Sequence, residues 1–185
     1  MRDQMHILKG LLVLTFLTTG IAIGTPVARA ESSKSPDISA IPGQVKHEMA
    51  MLPWYGVFDD LGYQVNGTEV TLTGQVISEH DVTKYDAGRA VRRIPGVTKV
   101  INNIEVLPPS RFDNQIRRAE YRTIFSKSDL GRYTMGSYPQ VHILVKGGHV
   151  VLEGTVMNQM DKNVAGIAAN SVPGVFSVTN NLHIG

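Results

Sequence analysis

Apolar and polar residues alternate in Val70-Thr71-Leu72-Thr73 and again from Val141 to Val145, the period-two spacing that predicts a half-buried β-strand. Both runs belong to a phrase that occurs twice. Val65-Asn66-Gly67-Thr68-Glu69-Val70-Thr71-Leu72-Thr73-Gly74-Gln75-Val76 returns as Val145 to Val156, sharing the residues at Val65, Gly67, Val70, Leu72, Gly74 and Val76. In each copy a glycine turn separates two apolar runs, which predicts a hairpin; Gly67 and the pair Gly147-Gly148 supply the positive φ that tight turns need. If Gly147-Gly148 is a two-residue turn, His149 pairs with Lys146 and His142 with Glu153.

The spacing then changes. Ser78-Glu79-His80-Asp81 and Asn158-Gln159-Met160-Asp161 set a capping residue three before an acid, predicting a helix entry. Ala87, Ala90, Val91 and Ile94, and likewise Val164, Ile167, Ala168 and Val172, fall at helical spacing and predict an apolar stripe laid on the sheet. Pro95-Gly96 and Pro173-Gly174 stop these helices, and a last strand is expected over 97–106 and 175–184, ending in the pairs Asn102-Asn103 and Asn180-Asn181. A supersecondary unit used twice, in the order strand, strand, helix, strand with a further helix in front, predicts two small modules.

In front of the first copy, 45–52 reads as a short helix ended by Pro53, and Trp54-Tyr55-Gly56-Val57-Phe58 leads into the first strand. Trp54, the single tryptophan, is expected to pack in a core or between modules. Leu107-Pro108-Pro109-Ser110 is a stiff, short connector, so the modules are expected to touch. Residues 111–125 read as a helix with Phe112, Ile116 and Ala119 on one face and Arg111, Arg117, Arg118, Tyr121, Arg122 and Phe125 on the other. Arginines interleaved with aromatics on an outward face suit a membrane surface, making Arg117, Arg118, Tyr121, Arg122 and Phe125 the candidate lipid-binding residues. The competing reading buries Tyr121 and Phe125 against the neighbouring module and leaves the arginines solvated. Residues 127–140 show no periodicity and read as a loop in which Tyr133, Met135 and Tyr138 beside Arg132 extend a lipid or polypeptide contact.

The amino terminus reads as a secretory leader over 1–30, with Arg2 and Lys9 before an apolar run and Ala28-Arg29-Ala30 in the form of a cleavage site. An uncleaved anchor is the rival, but the apolar run is shorter than the ~20 residues of a typical span. The expected organisation is therefore leader 1–30, disordered linker 31–40, first module 41–107, linker 108–110 and second module 111–185. Beyond the leader the chain holds 15 basic and 15 acidic residues, giving no reason to expect nucleic acid. The halves differ: 31–110 holds 7 basic and 10 acidic groups, 111–185 holds 8 and 5. There is no cysteine, which excludes disulfides and the lipid attachment of a bacterial lipoprotein.

Motifs for enzyme chemistry are missing: the sequence contains no glycine-rich phosphate loop, no Gly-x-Ser-x-Gly elbow and no His-Glu-x-x-His helix. His142, His149 and His183 read as exposed strand histidines rather than metal ligands, and Asp59-Asp60 as a solvated turn rather than an acid/base pair. No metal, cofactor or catalytic residue is expected.

The recurrent V-x-G-x-x-V-x-L-x-G-x-V, followed by a helix and I/V-P-G-V with paired asparagines, resembles the BON domain, the bacterial module named for osmotically inducible protein Y and nodulation proteins. The resemblance implies two tandem α/β sandwich modules, each a small three-stranded mixed sheet with helices on one face, exported to the periplasm. It also implies a non-enzymatic role: docking on anionic phospholipid or another envelope surface, or chaperone-like binding of client polypeptides under osmotic or other stress.

Overall fold

In the computed structural model, residues 37–127, 129–135 and 138–185 are described; the expected leader and residues 31–36 lie outside them. Each copy builds the same unit. In the first, α1 (Ile41–Ala50) precedes the hairpin β1 (Asp60–Asn66) and β2 (Glu69–Val76), then come α2 (Asp81–Arg92), β3 (Lys99–Asn102) and β4 (Glu105–Val106). The second runs α3 (Arg111–Phe125), β5 (Val141–Lys146), β6 (His149–Val156), α4 (Gln159–Asn170), β7 (Ser177–Asn180) and β8 (His183–Ile184). In both sheets the hairpin is antiparallel, and its second strand takes the two closing segments in parallel on its other side. The closing strand is thus one strand with a break. The architecture is two tandem α/β modules with mixed sheets.

The hairpin register follows the turn glycines: Lys146 faces His149 and His142 faces Glu153, with Gly147 at φ 60° and Gly148 at φ 79° between the strands. Gly74 and Gly154 serve a different purpose. They sit at φ 113° and 116°, and a Cβ on either would lie 2.1 Å from a carbonyl oxygen of the facing chain, Asp60 O or Gln140 O. The first asparagine of each pair explains the break in the closing strand. Asn102 Nδ2 donates to Lys84 O at 2.7 Å while its Oδ1 accepts from Ile104 N, and Asn180 does the same with Lys162 O and Leu182 N. Gly88 and Gly166 make room for these amides, since a Cβ would come within 2.9 and 2.8 Å of them.

Each module has its own core. Ile41, Val45, Met49, Val70, Leu72, Val76, Ala87, Val91 and Ile104 fill the first; Ile116, Ile124, Ile143, Leu152, Ala165, Ala169 and Leu182 help fill the second. In the expected stripe of α4, Ala168 and Val172 are buried and Val164 packs partly on the core, and Ile167 alone turns outward. Asp161, Ala165, Ala168 and Ala169 face inward, whereas Ile167 is 72% exposed, because three alanines let the helix lie closer to the sheet than isoleucine would. Helix entry also differs between copies. Asn158 caps α4 by accepting from Asp161 N, but Ser78 to His80 form a 3₁₀ turn before α2 with no side-chain cap. Within the linker expected to be disordered, Ile38–Ala40 is instead a 3₁₀ turn capped by Asp37, leading straight into α1.

The two modules share an interface. Ile143 N donates to Val57 O at 2.8 Å, so a segment of the first module lies along the free edge of β5. Residues Val141 to Val145 are all buried, a correction to the half-buried strand their alternation predicts: the first module covers the side that would otherwise face water. Lys146 Nζ meets Glu105 Oε1 at 2.7 Å and Asn114 Nδ2 meets Glu79 Oε1 at 2.7 Å across the same boundary. On α3, Glu120 is fully buried and neither of its carboxylate oxygens has a partner among the described residues. Burial pushes its carboxyl up to about 8.

Two measurements follow. Gly154→Ala forces a side chain into Gln140 O at a left-handed backbone position, so urea unfolding is expected to show a loss on the order of 3 kcal/mol. Because the Glu120 carboxyl is raised in the folded state, its contribution is complete below the unfolded value near 4.5 and is lost as pH rises through about 8. The melting temperature is expected to fall between pH 6.5 and 8.5, and Glu120→Gln to flatten that slope; an unchanged slope would show that Glu120 does not titrate there.

Candidate site on α3 at the module junction

Helix α3 begins at Ser110, whose Oγ accepts from Asp113 N at 3.1 Å. Its inward stripe is Asp113, Ile116, Arg117, Glu120 and Ile124; of the expected Phe112, Ile116 and Ala119, only Ile116 is buried. Asp113 and Arg117 turn inward to satisfy backbone groups. Asp113 accepts from Gly147 N and Gly148 N at 3.0 and 2.9 Å, tying the hairpin turn to the helix. Arg117 donates from Nη2 to Val145 O at 2.5 Å and from Nη1 to Asn114 Oδ1, capping the edge of β5. Arg117 is only 3% exposed, so it leaves the lipid-binding set proposed for this helix. Burial lowers the affinity of its guanidinium for its proton, against the opposing pull of Asp113, Glu79 and Asp59.

The other four candidates do come together. Arg118, Tyr121 and Arg122 are exposed, and Phe125 is half-buried beside Tyr121 with ring centroids 5.1 Å apart. Phe58, from the first module, meets Tyr121 edge-on at 6.2 Å. Phe58, Tyr121 and the two arginines line an open cleft of about 260 Å³. Tyr121 thus packs on the neighbouring module and with Phe58 floors a surface cleft flanked by cations, while Phe125 packs against the second core. Phe58 was not singled out from the sequence. Its signal was the aromatic run from Trp54 to Phe58, which read as a lead into a strand.

Within that run the buried residue is Tyr55, whereas Trp54 is 58% exposed, reversing the expectation for the single tryptophan. The chain turns sharply there, and Leu52 and Tyr55 take the inward positions. Tyr55 Oη accepts from Leu61 N at 3.2 Å and lies 3.3 Å from Tyr138 Oη and 3.5 Å from His142 Nε2. His142 is therefore buried rather than an exposed strand histidine, with Nδ1 unpartnered among the described residues. Burial lowers its affinity for a proton, opposed mainly by Asp60, and burial raises the carboxyl of Asp60. Nor is Asp59 a solvated turn residue. It is fully buried and accepts from Gly56 N, Ile77 N and His80 Nδ1, the last at 2.7 Å.

The 127–140 segment is more built than a loop. Gly131–Thr134 is a 3₁₀ turn, Leu130 and Tyr133 are buried, and Tyr133 Oη donates to Asp161 Oδ2 while accepting from Met157 N. Arg132 pairs with the same carboxylate, and these contacts hold Asp161 below the usual carboxylate range. Tyr133 thus anchors the start of α4 and is not a surface contact; Met135 and Tyr138 remain exposed. Among the described residues no three His, Asp or Glu side chains converge as metal ligands would, and no helix is long and apolar enough to cross a membrane.

No curated protein matches the chain. The solved structures that are similar at low level include two of CdsD, a structural protein of the type III secretion system of Chlamydia trachomatis. One shares 12% identity over 78% of this chain and 93% of its own, with TM-score 0.30. The other, its C-terminal domain, shares 13% over 80% and 99%, with TM-score 0.28. The BON domain profile matches residues 39–108 and again 127–185, one match for each α/β module described above. The chain belongs to the BON domain family, with two copies in tandem.

Proposed function

We propose that this is a non-enzymatic bacterial envelope protein that docks on phospholipid surfaces through α3 and supports envelope integrity or the response to osmotic stress. The observation that carries this is the cleft in which Arg118 and Arg122 flank Phe58 and Tyr121, beside Phe125. Cationic heads with aromatic bodies match the boundary between headgroups and acyl chains, where each basic residue contributes about 1 kcal/mol near an anionic surface. The greater basicity of 111–185 over 31–110 orients that half toward such a surface. Periplasmic location, with a leader cleaved after Ala30, belongs to the same proposal.

A second reading has its own observation. Met157, Met160 and Ile167 are 65%, 73% and 72% exposed on and just before α4, and exposed methionines adapt to varied apolar partners. On that reading the protein binds client polypeptides.

Co-sedimentation with anionic vesicles separates the two. The Arg118→Ala, Arg122→Ala double variant is expected to lose about 2 kcal/mol, roughly thirtyfold in affinity, with its melting temperature unchanged because both side chains are exposed. Binding is also expected to weaken as salt rises. Wild-type binding indifferent to both anionic lipid and salt would defeat the membrane reading, and suppression of client aggregation without lipid binding would establish the alternative.

A further inference from the structure

Past Phe58 and Arg118 the aromatic cleft continues into a second hollow of about 340 Å³ that exists only because the two modules meet. Phe58 and Ile77 give it apolar walls from the first module, and α3 closes it with Asn114, Arg117 and Arg118. Its polar groups are of both signs. Glu79 is exposed, and its own backbone N–H, Asn114 and Ser78 hold its carboxyl below the usual range, so it is ionised at neutral pH. Opposite in charge stands Arg118, which is exposed, while Arg117 is buried behind it and bonded to Val145 O. His80 completes the wall in a fixed orientation. Its Nδ1 is held by the buried Asp59, itself held by Gly56 N and Ile77 N, which leaves Nε2 free of that contact.

A purely anionic ligand would meet the carboxylate of Glu79, and a purely cationic one would meet Arg118. A group carrying both charges close together satisfies the two at once. We infer that this hollow takes the phosphoethanolamine headgroup of a phospholipid, with the phosphate toward Arg118 and the primary ammonium toward Glu79. The glycerol and the first methylenes then lie over Phe58 and Tyr121, in the cleft already assigned to the membrane. This inference rests on the membrane reading and adds a headgroup preference to it. It also makes the site composite: Glu79, His80 and Phe58 come from the first module, and Asn114, Arg118 and Tyr121 from the second.

The test uses the full chain with three vesicle types: phosphatidylcholine alone, and phosphatidylcholine carrying an equal share of either phosphatidylethanolamine or phosphatidylglycerol. Phosphatidylethanolamine is expected to raise affinity about tenfold over phosphatidylcholine alone, the size of one charge-assisted hydrogen bond. Glu79→Gln, which keeps an acceptor for Asn114, is expected to abolish that gain while leaving phosphatidylglycerol binding intact or stronger. Soluble O-phosphoethanolamine is expected to shift the His80 ring resonances saturably. Phosphatidylglycerol binding with no gain from phosphatidylethanolamine, or a gain that survives Glu79→Gln, overturns the headgroup assignment and leaves the membrane reading standing. Failure to bind any vesicle overturns both, and unmoved His80 resonances overturn the pocket whatever the vesicles show.

Discussion

An unpaired strand edge exposes a row of backbone donors and acceptors, and β5 has such an edge. It is closed by two contacts: Val57 O accepts from Ile143 N, and the guanidinium of Arg117 donates to Val145 O. Much else in the molecule follows from these. Arg117 must be buried to reach the carbonyl, so α3 carries a polar inward stripe where α1 carries Ile41, Val45 and Met49. The segment that supplies Val57 also brings Tyr55 onto His142 and Phe58 onto Tyr121, and so the candidate cleft is a by-product of closing one strand.

The copies are alike where each builds its own core and differ where they meet. Asn102 and Asn180 bridge helix to closing strand in the same way, and Gly74 and Gly154 admit the facing carbonyl at nearly the same φ. By contrast β1 buries only Leu61 of its residues, while β5 is buried from Val141 to Val145. The family profile begins its second match at residue 127, after α3, the helix whose inward face is adapted to the junction.

Local chemistry was legible in the sequence. Two-residue glycine turns set the hairpin register, and Pro-Gly pairs ended the helices, because each device acts within a few residues. What the sequence hid was burial conferred from elsewhere in the chain. Trp54 and Tyr55 are adjacent aromatics, and nothing local says that Tyr55 turns inward; the partners that decide it, Tyr138 and His142, lie more than eighty residues away. Asp59 looked like a solvated acid because its acceptors' donors, Ile77 N and His80, come from another turn. For the candidate site, periodicity grouped Arg118, Tyr121, Arg122 and Phe125 correctly, but could not separate Arg117 from them or add Phe58.

The dependence of the first module on the second has a temporal side. A ribosome completes residues 37–110 before Ile143 and His142 exist, so Tyr55 and Phe58 lack their partners for as long as the remaining chain takes to emerge. In that half Tyr55 rests only on its own module's core and Phe58 lacks Tyr121; contact with the second module covers Tyr55 and half-buries Phe58. A chain interrupted before β5 would therefore expose more of this aromatic flank than the finished molecule does.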